Sequence, residues 1–173
     1  MAVSELTSVL PPPRILVEPG TPQQWDHVQK KLGIRLPQDL YDLAMKYGSG
    51  RIYRGLIECF NPFAPSYVKT ITSECTSLQK LADALENQPY AFFPKEHGLF
   101  PCGWDESGGR FLWLTEGRPD KWPIILLDDE NRYERWDMSL TTFLARALTN
   151  EIACLLWDRF ARVALEFAPQ AQG

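Results

Sequence analysis

Residues 25–50 read WDHVQKKLGIRLPQDLYDLAMKYGSG, and two short amphipathic helices are written there back to back. Just upstream, Thr21-Pro22-Gln23-Gln24 forms a capping box: Thr21 caps, Pro22 takes the first helical position and Gln24 reaches back. Trp25, Val28 and Leu32 then recur at helical spacing, and Gly33 ends the turn. Pro37 starts the second helix. Leu40, Leu43, Ala44 and Tyr47 form its buried stripe, Gly48 stops it, and Gly50 eases the exit into a strand. This is structural punctuation and carries no catalytic motif.

Working outward, residues 51–60 switch to a strand pattern through Ile52, Leu56, Ile57 and Phe60, with Gly55 as a candidate bulge. Asn61-Pro62 and Pro65 end it. Ser73 or Thr76 caps a third helix carrying Leu78, Leu81, Ala82 and Leu85, and a loop over 87–94 holds Tyr90, Phe92 and Phe93. A β-meander follows, with strands at 99–104, 110–115, 122–127 and 132–136 joined by turns rich in Asp, Asn and Gly. From Ser139 the pattern is helical again, with one stripe through Leu140, Phe143, Leu144, Ala147 and Leu148. A second stripe runs through Ile152, Leu155, Leu156, Phe160 and Val163, and Thr149-Asn150 kinks or splits the two. At the other end, Pro11-Pro12-Pro13 and Pro19-Gly20 argue against a helix and for an extended leader, draped on the surface or partly disordered. The expected organisation is a leader at 1–20, a single α+β domain at 21–168 and a tail at 169–173.

The 173 residues, 45% of them hydrophobic, suffice for one domain with a proper core. A net charge of −4 argues against a basic stripe for nucleic acid. No apolar stretch approaches a membrane span, and no basic segment followed by an apolar run suggests a signal peptide. Cys59, Cys75, Cys102 and Cys154 are far apart, without Cys-x-x-Cys pairs or histidines at zinc spacing. The expectation is reduced thiols in a cytoplasmic protein.

Material for chemistry is poor. Gly108-Gly109 lacks the lysine and helix of a phosphate loop, and no Gly-x-Ser-x-Gly elbow occurs. Histidine is limited to His27 and His97; a Cys102–His97 pair lacks any visible third group, and a buried structural Cys102 is the simpler reading. Carboxylates cluster at the strand turns: Asp105, Glu106, Asp120, Asp128, Asp129, Glu130, Glu134 and Asp137. Two close together would bind a divalent ion or hydrolyse a glycoside. Turns, however, are where Asp belongs, because its side chain bonds the local backbone. The remaining functional reading is an acidic protein-binding patch. Trp104, Trp113 and Trp122 lie on or beside these strands, and an exposed Trp among carboxylates resembles an interface hot spot.

The order Trp25, Leu32-Gly33, Leu36-Pro37, Leu40, Tyr47-Gly48-Ser49-Gly50 resembles the start of the SUKH superfamily of Smi/Knr-type domains. Leu99-Phe100-Pro101-x-Gly103-x-Asp105, Gly108-Gly109, Trp122-Pro123-Ile124 and the helix from Ser139 are similar in their order, so the likeness covers residues 21–148. It implies an α+β fold with a mainly antiparallel curved sheet flanked by helices. It also implies a non-catalytic role, as an immunity protein that binds a cognate toxin, often a nuclease or deaminase. The alternative role is a regulatory scaffold without a toxin partner. The resemblance marks Trp25, Gly33, Leu36, Pro37, Tyr47, Gly48 and Gly50 as fold-defining. The leader and a helix at 151–167 stand as additions to the family form, the latter amphipathic enough to pack on the domain or mediate dimerisation. The expected partner is therefore a toxin protein, bound through Trp104, Asp105, Glu106, Asp120, Asp128, Asp129, Glu130 and Glu134. No cofactor, metal, nucleic acid or membrane is expected, and the chain is a monomer or homodimer.

Overall fold

The computed structural model describes residues 2–52, 57–85, 87–155 and 166–172. In chain order these form α1 (Ala2–Val9), α2 (Pro22–Leu32), α3 (Gln38–Tyr47), β1 (Gly50–Ile52), β2 (Ile57–Cys59) and α4 (Tyr67–Ala84). Then come β3 (Leu99–Asp105), β4 (Arg110–Leu114), a 3-10 turn (Pro119–Lys121), β5 (Ile124–Leu127), β6 (Tyr133–Trp136), α5 (Leu140–Leu148) and β7 (Phe167–Pro169). The class is α+β, as expected.

The helix pair forms as its punctuation dictates. Thr21 Oγ1 accepts the N–H of Gln24 at 3.3 Å. Gly33 closes α2 at φ 68°, a left-handed conformation that a Cβ makes costly. The buried face of α3 is the expected Leu40, Leu43, Ala44 and Tyr47. Trp25 is half-buried, not engulfed. Its ring meets Tyr41 and Phe63 edge-on, with centroids 5.4 and 6.4 Å away. It therefore clamps α2 to α3 and to the chain after β2, at the rim of the core.

The strands form one sheet in the order β6-β5-β4-β3-β2-β1-β7, each pairing antiparallel. Side chains alternate between its two faces. Phe100, Phe111, Trp113, Ile124 and Leu126 join the larger cluster, which includes Val3, Leu6, Leu40, Tyr47, Phe143 and Leu144 of the helices. Leu99, Leu112, Leu114, Ile125 and Leu127 face the other way, onto Leu78 of α4 and Phe92. Both faces of β4 and β5 are thus covered, which explains their unbroken apolar runs.

Four local expectations are corrected. Residues 2–9 are helical: Val3, Leu6 and Leu10 are buried, and α1 packs on α5. The prolines from Pro11 onward end that helix; they do not reach back to forbid it. The single strand expected at 51–60 is a pair, β1 and β2, and Gly55 and Leu56 lie outside the described residues. α4 starts at Tyr67, so Ser73 and Thr76 are interior, with the Thr76 hydroxyl bonded to the Thr72 carbonyl at 2.8 Å. Most of the helix expected at 151–167 also lies outside the described residues. Of its ends, 151–155 form turn and irregular chain, while Phe167 opens β7. α5, capped by the Ser139 hydroxyl on the Thr142 N–H at 3.3 Å, is the C-terminal helix described.

Candidate partner-binding surface

Strand register gathers two turns at one end of the sheet. Ile52 lies opposite Ile57, Ile57 opposite Asp105, Trp104 opposite Arg110, Arg110 opposite Leu127, and Leu127 opposite Tyr133. The turns 105–109 and 128–132 are therefore neighbours. They carry Asp105, Glu106, Asp128, Asp129 and Glu130, with Trp104 beside them. Asp120 sits in the β4–β5 connection at the opposite end.

The carboxylates divide by burial. Asp105 is 3% exposed, and its Oδ1 accepts the N–H groups of Ser107 and Gly109 at 2.9 and 2.8 Å. Asp128 is 6% exposed; its Oδ1 accepts the N–H groups of Glu130 and Arg132, and its Oδ2 pairs with the Arg132 guanidinium at 2.7 Å. Burial pushes the Asp128 carboxyl up, but the Arg132 and Glu130 donors outweigh it and hold the group below the usual carboxylate range. Both residues spend their carboxylates on their own turns. Glu106, Asp129 and Glu130 remain exposed, Glu130 sharing Arg132 at 3.4 Å.

The other two candidates stand apart. Asp120 Oδ1 accepts the N–H of Gln38 at 2.7 Å, supplying the side-chain cap that Pro37 cannot give α3. Glu134 Oε2 accepts the N–H of Leu155 at 2.7 Å and ties the chain after α5 to β6. A carboxylate outside the candidate set plays a similar part: Asp39, in the first turn of α3, accepts the N–H and hydroxyl of Thr141 at the start of α5. Burial pushes its carboxyl up, and the Thr141 bonds only partly oppose this.

Trp104 is 39% exposed on the central strand β3. Residues directly opposite in register share a face, so Arg51, Glu58, Trp104 and Arg110 form one row across four strands. Arg51 pairs with Glu58 at 2.8 Å, and its guanidinium carbon lies 5.9 Å from the Trp104 ring centroid. Arg110 pairs with Glu74 of α4 at 2.9 Å. The indole is thus framed by two ion pairs and held on rigid strands. Sequence reading found Trp104 but not its frame; the visible signal was charge interleaved with apolar residues over 51–60. Trp113 and Trp122 are buried, and their rings meet at a tilt of 53° with centroids 6.4 Å apart.

Nothing among these groups assembles as a reaction centre. Cys102 is buried, and burial drives its thiol well above the ordinary value. Burial also pushes Cys75 up to about 11. A nucleophilic thiol needs the opposite shift. His97 is exposed, beside Glu96. Among the described residues no three His, Cys, Asp or Glu side chains converge as metal ligands. No helix among them is long and apolar enough to cross a membrane.

Comparison with known proteins returns one family, described as SMI1 / KNR4 (SUKH-1), whose model matches residues 19–146. No curated protein and no solved structure matches the chain. The matched span runs from the residues before the capping box into α5, covering the helix pair and six of the seven described strands. The chain belongs to the SMI1/KNR4 (SUKH-1) family.

Proposed function

We propose that this chain is a non-catalytic, cytoplasmic immunity protein that neutralises a cognate toxin by direct binding, with the hairpin end of the sheet as its contact surface. Family membership supports a protein-binding role. The observation that carries the site is the placement of Trp104 near the exposed Glu106, Asp129 and Glu130 at one end of the sheet. Toxins that attack nucleic acids carry cationic clefts, and an anionic sheet end steers association with such a surface. A framed, preorganised indole supplies the local contact that slows dissociation. Asp105, Asp120, Asp128 and Glu134 shape the scaffold that presents this end.

The test is co-expression with the toxin encoded beside the gene. Protection of the host, with a 1:1 complex that weakens as salt is raised, supports the reading. A chain that forms stable complexes but protects against no neighbouring toxin is instead a regulatory scaffold.

A further inference from the structure

The motif Tyr47-Gly48-Ser49-Gly50 ends α3, and it also forms the wall on which the C-terminal tail is seated. The Phe167 ring packs edge-on against Tyr47, centroids 5.1 Å apart. It closes one side of a small apolar cavity lined by Leu6, Leu10 and Leu40. β7 runs antiparallel to β1, with Gly50 opposite Pro169 and Ile52 opposite Phe167. A Cβ on Gly50 would lie 2.5 Å from both the Ala168 carbonyl oxygen and the Phe167 ring, so this approach requires glycine. The N–H of Gln170 donates to the Ser49 carbonyl at 3.0 Å.

Gln172 is then held on every side. Its N–H donates to the Glu18 carboxylate at 3.2 Å, and its side-chain amide to the Cys59 carbonyl at 2.9 Å. Its side-chain carbonyl accepts the Asn61 N–H at 2.8 Å, and its backbone carbonyl accepts the Ser66 hydroxyl at 2.9 Å. The receptor side is braced without the tail. Ser49 donates its hydroxyl to Glu18, and the Asn61 amide donates to the Glu18 carbonyl at 3.0 Å and to Ser49 Oγ at 2.8 Å.

We infer that this groove is a peptide-recognition site for an extended segment of a partner protein carrying Phe and Gln at the spacing of Phe167 and Gln172, and that the chain's own tail occupies it in cis. The mode is strand addition: main-chain bonds along β1 give affinity, while an aromatic seat and a fully bonded glutamine seat give specificity. Tethering gives the resident tail an effective concentration on the order of millimolar, so a segment in trans competes once that hold is weakened.

The experiment uses full-length, 15N-labelled protein as wild type and as Gln172→Ala, titrated to millimolar levels with a capped synthetic peptide of residues 166–172. Gln172 lies outside both apolar clusters, so replacing its side chain leaves the core intact. The Gln172→Ala protein is expected to show saturable amide shifts at Ser49, Ile52 and Asn61. A peptide with alanine in place of Gln172 is expected to bind about ten-fold more weakly, having lost two side-chain hydrogen bonds. A folded Gln172→Ala protein whose spectrum is unmoved, or moved equally by both peptides, overturns the inference.

Discussion

Arg51 and Trp104 stack across the sheet although β2 lies between their strands: the guanidinium carbon is 5.9 Å from the indole centroid. Glu58 of that middle strand anchors the guanidinium at 2.8 Å. The indole is therefore presented in one orientation before any partner arrives. At 39% exposure the Trp104 indole contributes less to folding than a buried ring, and a preorganised Trp ringed by ion pairs has the character of a binding hot spot. Trp104→Ala is expected to leave the unfolding midpoint within a few degrees of wild type and to weaken toxin binding by about 2 kcal/mol or more. Thermal melts and calorimetric titration check the two halves separately.

Asp120 gives the opposite result. Its carboxylate caps α3 from a connection 82 residues away in sequence. Asp120→Ala is expected to cost about 1 kcal/mol of stability, the usual scale for a lost N-cap. Denaturant unfolding should show this loss while toxin affinity is unchanged.

The carboxyls of Asp128 and Asp39 are shifted in opposite directions by the fold. The Asp128 carboxyl is depressed in the folded protein, so its contribution to stability is present above the ordinary carboxylate value and is lost as pH falls through the lower folded value. The Asp39 carboxyl is raised, so its contribution is present at low pH and is lost as pH rises through the folded value. Carboxyl NMR titration should place Asp128 below, and Asp39 above, the unperturbed range. Asp128→Asn should flatten the acid limb of the stability curve.

Trp25 is a clamp at the rim of the core. Full burial would cost about 3–5 kcal/mol on truncation. Being half-buried against Tyr41 and Phe63, Trp25→Ala is expected to cost about 2–3 kcal/mol, edge-on ring contacts included. The folded fraction should bind its partner as tightly as wild type. A well-folded Trp25→Ala protein without binding would place the contact surface on the helix pair instead.

The helix pair was legible because its signals are local: Thr21, Gly33, Pro37 and Gly48 act within a turn of where they stand. The meander was legible from short apolar runs separated by turns rich in Asp, Asn and Gly, and Asp105 and Asp128 serve the turns that their residue type suggests. The Asp120 cap was not, because its acceptor role depends on a helix start far away in sequence. β7 was missed for the same reason. Nothing within Phe167–Pro169 announces a strand, and its partner is β1. At α1, Val3, Leu6 and Leu10 did repeat at helical spacing, and the prolines that follow obscured them. The frame around Trp104 joins four strands and α4, and only the folded register brings it together.

The most direct test of the account is the protection assay with charge reversed only on the exposed turn residues, as the triple variant Glu106→Lys, Asp129→Lys and Glu130→Lys. These side chains accept no turn-forming hydrogen bond, so the fold should persist, as circular dichroism would verify. The account predicts that wild type protects cells from the toxin encoded beside its gene, while the folded triple variant associates at least ten-fold more slowly at low salt and protects poorly. A folded triple variant that protects as well as wild type would contradict it.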